Sequence, residues 1–141
     1  MISDELKNIL ENITVQGKMC FFEGVSKEQI FAFENKNSIV LPVQYKEWLE
    51  YSDGGEFFLP AGVQLYGVAH KPVIDVNDSD RPNEEYVVIG ALASGDPILC
   101  KKGGEQIAIY NHEASRIEED EIYQNFYAFL SDLNELLGIG E

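Results

Sequence analysis

The sequence predicts an α+β domain, with a central, mainly antiparallel β-sheet, helices before it and an amphipathic helix after it. Three observations lead to this fold class. Apolar residues recur at helical spacing over the first 55 residues, β-rich runs follow, and a helical apolar pattern closes the chain. With 141 residues, 45% of them hydrophobic, the chain has the size and composition of one globular domain, residues 1–141.

The first predicted helix runs from Asp4 to Ile13, and Ser3 is its N-cap. Its apolar residues fall at i, i+3, i+4 and i+7 and form one stripe: Leu6, Ile9, Leu10 and Ile13. Gly17 ends this helix. The short apolar run of residues 19–22 that follows is compatible with either a strand or a packed connector, because periodicity cannot separate the two.

The second predicted helix opens with a capping box formed by Ser26 and Gln29 and runs to about Asn35. Residues 37–40 then break the helical pattern. The predicted helix includes the apolar residues Ile30 and Phe33.

A third helix is predicted after Pro42, which suits a first helical turn because its missing N–H would have no partner there. Its inward face is expected to carry three residues at i, i+3 and i+4, namely Tyr45, Trp48 and Leu49. Gly54 and Gly55 are expected to end it, since glycine readily adopts the positive φ of a helix C-terminus. Tyr45 and Trp48 could instead stack on a ligand, but their helical spacing favours the core.

Five β-rich runs bounded by Gly, Pro, Asn and Asp predict the sheet: residues 56–59, 63–69, 86–91, 98–101 and 106–110. Residues 102–105, Lys-Gly-Gly-Glu, predict a hairpin turn, and residues 75–85 a polar loop. Phe57 and Phe58 are adjacent, so they should point to opposite faces of a strand. One would then lie in the core and the other under a helix or on a contact surface.

The last predicted element is a long amphipathic helix from Glu121 to Leu137, closed by Gly138. The helical pattern rests on six apolar residues: Ile122, Phe126, Phe129, Leu130, Leu133 and Leu137. Four acids, residues 118–121, stand at its predicted start, where negative charge would complement the helix dipole.

Charge excludes several classes of function. Ten Lys and Arg stand against 25 Asp and Glu, which gives a net charge of −15 at pH 7. Nucleic acids and anionic membranes attract basic surfaces, so neither is an expected partner, whereas a basic protein is. No apolar run approaches the roughly 18 residues that a membrane-spanning helix needs. The first residues are acidic and lack the basic start and apolar stretch of a signal peptide, so neither a membrane span nor a signal peptide is expected. Cys20 and Cys100 are expected to be buried free thiols in a cytoplasmic protein.

Known catalytic and metal-binding motifs fail one by one. Gly90 and Gly95 have the glycine spacing of a P-loop, but Asp96 stands where the phosphate-binding lysine is needed. A calcium loop starting at Asp75 would need glycine at position 80 and glutamate at position 86, where Asp80 and Tyr86 stand. An acidic solvated loop is therefore the favoured interpretation of this segment. His112 could be a general base, although such a residue more often bonds a neighbouring turn. We therefore predict no enzyme activity, no cofactor and no metal.

Residues 41–55 carry the pattern Leu-Pro-x-x-Tyr-x-x-Trp-Leu-x-x-x-x-Gly-Gly, which resembles the signature of the SUKH superfamily. This superfamily includes yeast cell-wall-synthesis regulators and many bacterial immunity proteins. Further similar segments follow in the order of the family: residues 30–34, 88–90, 95–96, 111–113 and 126–130. The resemblance spans about residues 23–137, and it departs at Asp53, where members commonly have asparagine.

The resemblance implies a SUKH-like fold and a non-enzymatic role. Bacterial members are implied to neutralise toxins, often nucleases, and the alternative role is a regulatory or scaffold module like the yeast relatives. The motif residues that match the family are expected to be structural: Leu41, Pro42, Tyr45, Trp48, Leu49, Gly54, Gly55, Gly90, Gly95 and Asp96.

Candidate partner-binding residues come from charge. One acidic cluster lies in the polar loop: Asp75, Asp78, Asp80, Glu84 and Glu85. A second precedes the predicted last helix: Glu118, Glu119, Asp120 and Glu121. Glu56 and Phe58 complete the candidate surface, and Phe57, Phe58 or Tyr66 would be its apolar anchors if charge plays no part. Both clusters have plainer explanations, a solvated loop and a helix-dipole complement.

Overall fold

A computed structural model describes residues 3–59, 62–70, 72–77 and 81–136. Its centre is a seven-stranded sheet in which every neighbouring pair of strands is antiparallel and the spatial order follows the chain order. The strands are β1 (Lys18–Cys20), β2 (Gly55–Leu59), β3 (Val63–Leu65), β4 (Tyr86–Leu92), β5 (Pro97–Lys101), β6 (Ile107–Asn111) and β7 (Arg116–Tyr123). Three helices, α1 (Asp4–Thr14), α2 (Lys27–Asn37) and α3 (Val43–Tyr51), precede most of the sheet, and α4 (Phe126–Ser131) and α5 (Leu133–Leu136) follow it. The α+β prediction is confirmed.

The predicted starts of α1 and α2 are confirmed by their caps. The Ser3 hydroxyl accepts a hydrogen bond from the Leu6 amide at 3.3 Å. Both bonds of the Ser26–Gln29 capping box are present, at 3.1 and 2.9 Å. These bonds satisfy amide groups that a helix start otherwise leaves without partners.

The start of α3 is capped by a residue from far along the chain. Pro42 is the N-cap rather than a first-turn residue, and it has no side-chain oxygen to offer. The carboxylate of Glu105, between β5 and β6, accepts hydrogen bonds from the amides of Val43 and Gln44 at 2.9 and 3.4 Å. Negative charge at this position also suits the positive end of the helix dipole.

The last helix is shorter than predicted because the chain from Arg116 to Tyr123 forms strand β7. Helix α4 begins only at Phe126, where the Asn125 side chain accepts a hydrogen bond from the Ala128 amide at 2.8 Å. Ile122 therefore belongs to the strand, opposite Ala108, and not to a helical stripe. The predicted end at residues 137–138 lies outside the described residues.

Strand β3 is also shorter than predicted, ending at Leu65 instead of residue 69. Beyond it, single bridges join Gly67 to Val73 and Asp75 to Val88. The chain leaves the sheet here because the amides of residues 68–70 donate to the side chain of Asp53 and not to a neighbouring strand.

A β-bulge corrects the prediction for Phe57 and Phe58. Lys18 pairs with Leu59 and Met19 with Phe57, which leaves Phe58 without a partner position on β1. Phe58 takes a φ of 58°. As a result both rings are buried in the same hydrophobic core instead of facing opposite sides of the strand.

Trp48 lies in the core, as predicted, and is fully buried. Its ring packs against Phe21 and Phe57, with centroids 5.3 and 5.4 Å away. The indole N–H donates to the Gly54 carbonyl at 3.0 Å, so the polar atom of the ring is also satisfied. Within the described ranges, no helix has the length and apolar character needed to cross a membrane.

Cys100 is buried, as predicted, whereas Cys20 at the end of β1 is exposed, so the prediction of two buried thiols is wrong for Cys20. The burial of Cys100 predicts a loss of stability at high pH. Burial, with a smaller contribution from Glu105, raises the pKa of this thiol from 9.0 to about 12. The unfolded chain therefore loses this proton near pH 9 and the folded chain only near pH 12. Between these values the free energy of unfolding should fall by about 1.4 kcal/mol per pH unit.

Urea titrations from pH 8 to 11 measure this slope, and Cys100→Ala is the matched variant. Its slope should be shallower than that of the native chain over this range. A residual slope is expected, because burial also holds the pKa of Tyr45 well above its usual value. Identical slopes for the two proteins would contradict the role assigned to Cys100.

Candidate functional site

The carboxylate of Asp53 is a buried polar group with several hydrogen-bond partners. It follows α3 and is fully buried. It accepts hydrogen bonds from three successive amides, those of Val68, Ala69 and His70, at 2.7, 2.8 and 2.7 Å. A buried carboxylate needs such donors, and in return it fixes the loop after β3.

His70 completes this cluster. Its Nδ1 lies 3.1 Å from Asp53 Oδ2, and its ring stacks on Phe22 with centroids 5.5 Å apart. The side chain is 40% exposed. This arrangement orients one ring nitrogen towards a buried acid and keeps the ring at the surface.

Glu34 is hydrogen-bonded to the Leu-Pro segment of the motif. It is buried on α2, and its Oε2 accepts a hydrogen bond from the Leu41 amide at 2.7 Å. The same oxygen lies 3.2 Å from Lys46 Nζ on α3. One side chain therefore joins α2, the connector and α3.

Several other motif residues make specific contacts within the fold. The Tyr45 hydroxyl donates to the Tyr66 carbonyl, and the Leu49 carbonyl accepts from the Val25 amide at 3.0 Å. Gly54 and Gly55 have φ values of 97° and 135° but lie beyond the end of α3, in the turn and at the start of β2. At Gly90 a Cβ atom would lie 2.4 Å from the Gln64 carbonyl oxygen, so only glycine fits.

The second histidine is held by an aspartate in the same way as the first. The Asp96 carboxylate accepts a hydrogen bond from the His112 amide at 3.2 Å and also contacts His112 Nδ1. This contact ties the β4–β5 turn, where Gly95 has a φ of 97°, to the β6–β7 turn. His112 thus makes the turn contact that the sequence analysis weighed against a general-base role.

The loop cluster of acids is only partly described. Asp75 is exposed and its carboxylate accepts a hydrogen bond from the Asn77 amide at 2.9 Å. Glu84 is exposed, and exposed Glu85 lies 3.8 Å from Lys101 in a surface ion pair of small energetic value. Asp78 and Asp80 lie outside the described residues.

The second cluster of acids lies on an edge strand and not at a helix start. Tyr110 pairs with Ile117 and Ala108 with Ile122, so residues 118–121 bulge out of β7 opposite the single residue 109. Glu118 pairs with Arg116 at 3.0 Å, and Glu119 is exposed. Glu121 is half-buried, and nothing is described for the side chain of Asp120. Charge and a bulge on an edge strand both discourage pairing with another chain.

The predicted partner-binding residues that the structure describes are spread over different strands of the sheet. The loop cluster leads into β4, whereas the other cluster lies on β7. Three strand-to-strand spacings, about 14 Å in total, separate these two strands in the sheet. Half-buried Glu56 lies on β2, on the other side of β4. Phe58 is 4% exposed, so it is not available as a surface anchor.

Long-range contacts of Glu34, Asp53 and Glu105 are the features that sequence reasoning missed. Two of these residues had a local signal in the sequence. Glu34 is the acid of residues 30–34, and Asp53 is the aspartate before Gly54-Gly55. Among the described residues, no three His, Cys, Asp or Glu side chains are grouped so that they could hold a metal ion.

A comparison with known protein families assigns the chain to one of them. The model of the SMI1 / KNR4 family (SUKH-1) matches residues 24–132. The chain belongs to this family. The match runs from just before α2 to the end of α4 and includes the Leu-Pro and Gly-Gly segments, Asp53 and the Asp96–His112 contact, so the suspected SUKH resemblance is confirmed. A search of curated proteins finds no match.

Proposed function

We propose that the protein is a non-enzymatic immunity protein that binds and neutralises a basic toxin domain, and that this domain is a nuclease. The observation that carries the proposal is the net charge of −15 on a chain of the SUKH-1 family. A nuclease presents a basic groove to its substrate, and an acidic protein can cover that groove. Binding alone is then enough to block the toxin, and no catalytic group is needed.

The alternative function is a regulatory or scaffold module that binds a protein of its own cell. Membership of the family named for SMI1 and KNR4 supports it equally. Co-expression with a nuclease toxin encoded beside the gene separates the two functions. An immunity protein restores growth of cells that produce the toxin, and a regulatory module does not.

Charge reversal on the two acidic clusters tests how the toxin is recognised. Glu84→Lys/Glu85→Lys and Glu118→Lys/Glu119→Lys each change the net charge by four units at exposed or half-exposed positions. A cluster at the interface should slow association about tenfold and flatten its salt dependence when reversed. Stopped-flow association with the toxin domain at low and high salt measures both effects.

The matched control is Glu5→Lys/Glu11→Lys, which changes the same charge on exposed positions of α1, outside the family match. It should reduce the association rate less, because only the overall field of the protein is weakened. Association rates of all three variants that equal the native rate and do not depend on salt would contradict electrostatic recognition.

A further inference from the structure

Exposed apolar side chains collect around α2 and α3. Seven large hydrophobic residues are exposed in the described part of the chain, and four of them lie between residues 31 and 51: Phe31, Val40, Val43 and Tyr51. Phe31 is 64% exposed and Val43 is 67% exposed. Single exposed apolar residues are ordinary, but a local concentration of them marks an interaction site.

Phe31 and Val43 line the same groove between the two helices, with a volume of about 670 Å³. Ile30 and Phe31 of α2 and Val43 of α3 supply its apolar part. On α3 the positions that line the groove recur at i, i+3, i+4 and i+7, so one face of this helix forms one side of the groove.

The groove is held in shape by contacts of the chain itself. The Glu34–Lys46 ion pair joins α2 to α3. Glu47 accepts a hydrogen bond from the Ser3 hydroxyl at 3.2 Å, which ties α3 to the cap of α1. A partner would therefore meet a preformed surface and would not have to order it.

Charge in the groove is left uncompensated at Glu50. This side chain is half-buried and lines the groove, yet it makes no hydrogen bond or ion pair within the described residues. Lys46 is already paired with Glu34, and exposed Lys27 belongs to the opposite helix. The α3 side of the groove thus offers an acidic site beside an apolar one.

We propose that this groove receives an amphipathic helix of a basic partner protein. A large apolar side chain of that helix packs between Phe31 and Val43, and a lysine or arginine pairs with Glu50. Val43 and Glu50 are seven residues apart on α3, or about 10 Å, so the two anchors should be about two turns apart on the partner helix. This is the helix-in-groove mode of recognition.

The inference rests on the proposed function, because it assumes that the protein works by binding another protein. It adds the surface on which the partner docks. The acidic charge of the whole molecule then accelerates the encounter, and the groove holds the bound partner.

A displayed library of helical peptides of about five turns provides the probe. Peptides are selected on the native protein and counter-selected on the Phe31→Asp/Val43→Asp variant. We expect enriched peptides with a Leu, Phe or Trp and a Lys or Arg about seven positions away. Their Kd should weaken at least about tenfold with Phe31→Asp and about threefold with Glu50→Gln.

Val15→Asp is the control, because Val15 is 82% exposed but lies at the end of α1, away from the groove. It should leave the Kd of the selected peptides unchanged. All substituted positions except Glu50 are largely exposed, so the melting temperatures should match that of the native protein, and this is checked first.

Three results would overturn the proposal. One is a selection in which no peptide distinguishes the native protein from the Phe31→Asp/Val43→Asp variant. Another is an enriched set without basic residues. The third is a native dimer that Phe31→Asp converts to a monomer in sedimentation, since the occupant would then be a second copy of this chain.

Failure of the groove and failure of the proposed function give different results. Neutralisation of the toxin by the Phe31→Asp variant at the native level would reject the groove and leave the immunity function intact. Peptide binding in the groove by a protein that never neutralises the toxin would reject the immunity function and leave the groove.

Discussion

Replacing Trp48 by alanine should lower the free energy of unfolding by about 3–5 kcal/mol, a large part of the stability of a small domain. Trp48 is fully buried among Phe21, Phe57 and Phe126, so its loss leaves a cavity that the surrounding rings fill only in part. The lost hydrogen bond adds little, because the Gly54 carbonyl still accepts from the Ser52 hydroxyl at 2.8 Å. The cavity, and not an orphaned polar group, sets the cost.

Urea unfolding followed by circular dichroism measures this loss. Fluorescence is unsuitable, since Trp48 is the one tryptophan of the chain. Val43→Ala, on the exposed face of the same helix, is the control and should change stability by less than about 0.5 kcal/mol. A Trp48→Ala protein that unfolds at the same urea concentration as the control would contradict the core position of the indole.

Local signals in the sequence were sufficient to predict the starts of α1 and α2 and the buried face of α3. Ser3, Ser26 and Gln29 act through bonds to residues within three positions, so the pattern itself carries the information. Trp48 and Leu49 follow from helical periodicity in the same way. Even so, the helix dipole role assigned to residues 118–121 was wrong, because the helix begins at Phe126.

Strand β7 was missed because its composition opposes its structure. Residues 118–121 are all acidic, and acidic residues have low strand propensity. The strand forms because Ile117 and Ile122 pair with Tyr110 and Ala108 on either side of the bulge, a contact that depends on the whole sheet. Asn125 was the local signal that could have placed the helix start correctly.

The polar contacts that organise the candidate site join residues distant in the sequence. Glu105 caps a helix about 62 positions earlier, and Asp53 binds a loop about 15 positions later. A single sequence shows that an acid is present but not which amides it meets after folding. The groove between α2 and α3 was missed for the same reason, since Phe31 and Val43 line one groove only when the two helices pack.

The second large effect is expected at Asp53. Asp53→Ala should lower the free energy of unfolding by about 3–5 kcal/mol, because it removes a buried carboxylate and leaves the part-buried amide groups of residues 68–70 without their acceptor. Asp53→Asn should cost less, about 1–3 kcal/mol, since one side-chain oxygen still accepts while the amide group offers donors to donors. The order of the two variants is thus set by the number of acceptors that remain.

His70→Ala is the matched control, because it removes the ring and keeps all three backbone bonds to Asp53. It should cost about 1 kcal/mol, and hydrogen exchange at the amides of residues 68–70 should stay slow. In Asp53→Ala the same amides should exchange much faster, even under conditions where the rest of the domain stays folded. Exchange that remains slow in Asp53→Ala would show that the loop is held by its own packing. The Asp53 carboxylate would then not be the group that directs the chain away from the sheet after β3.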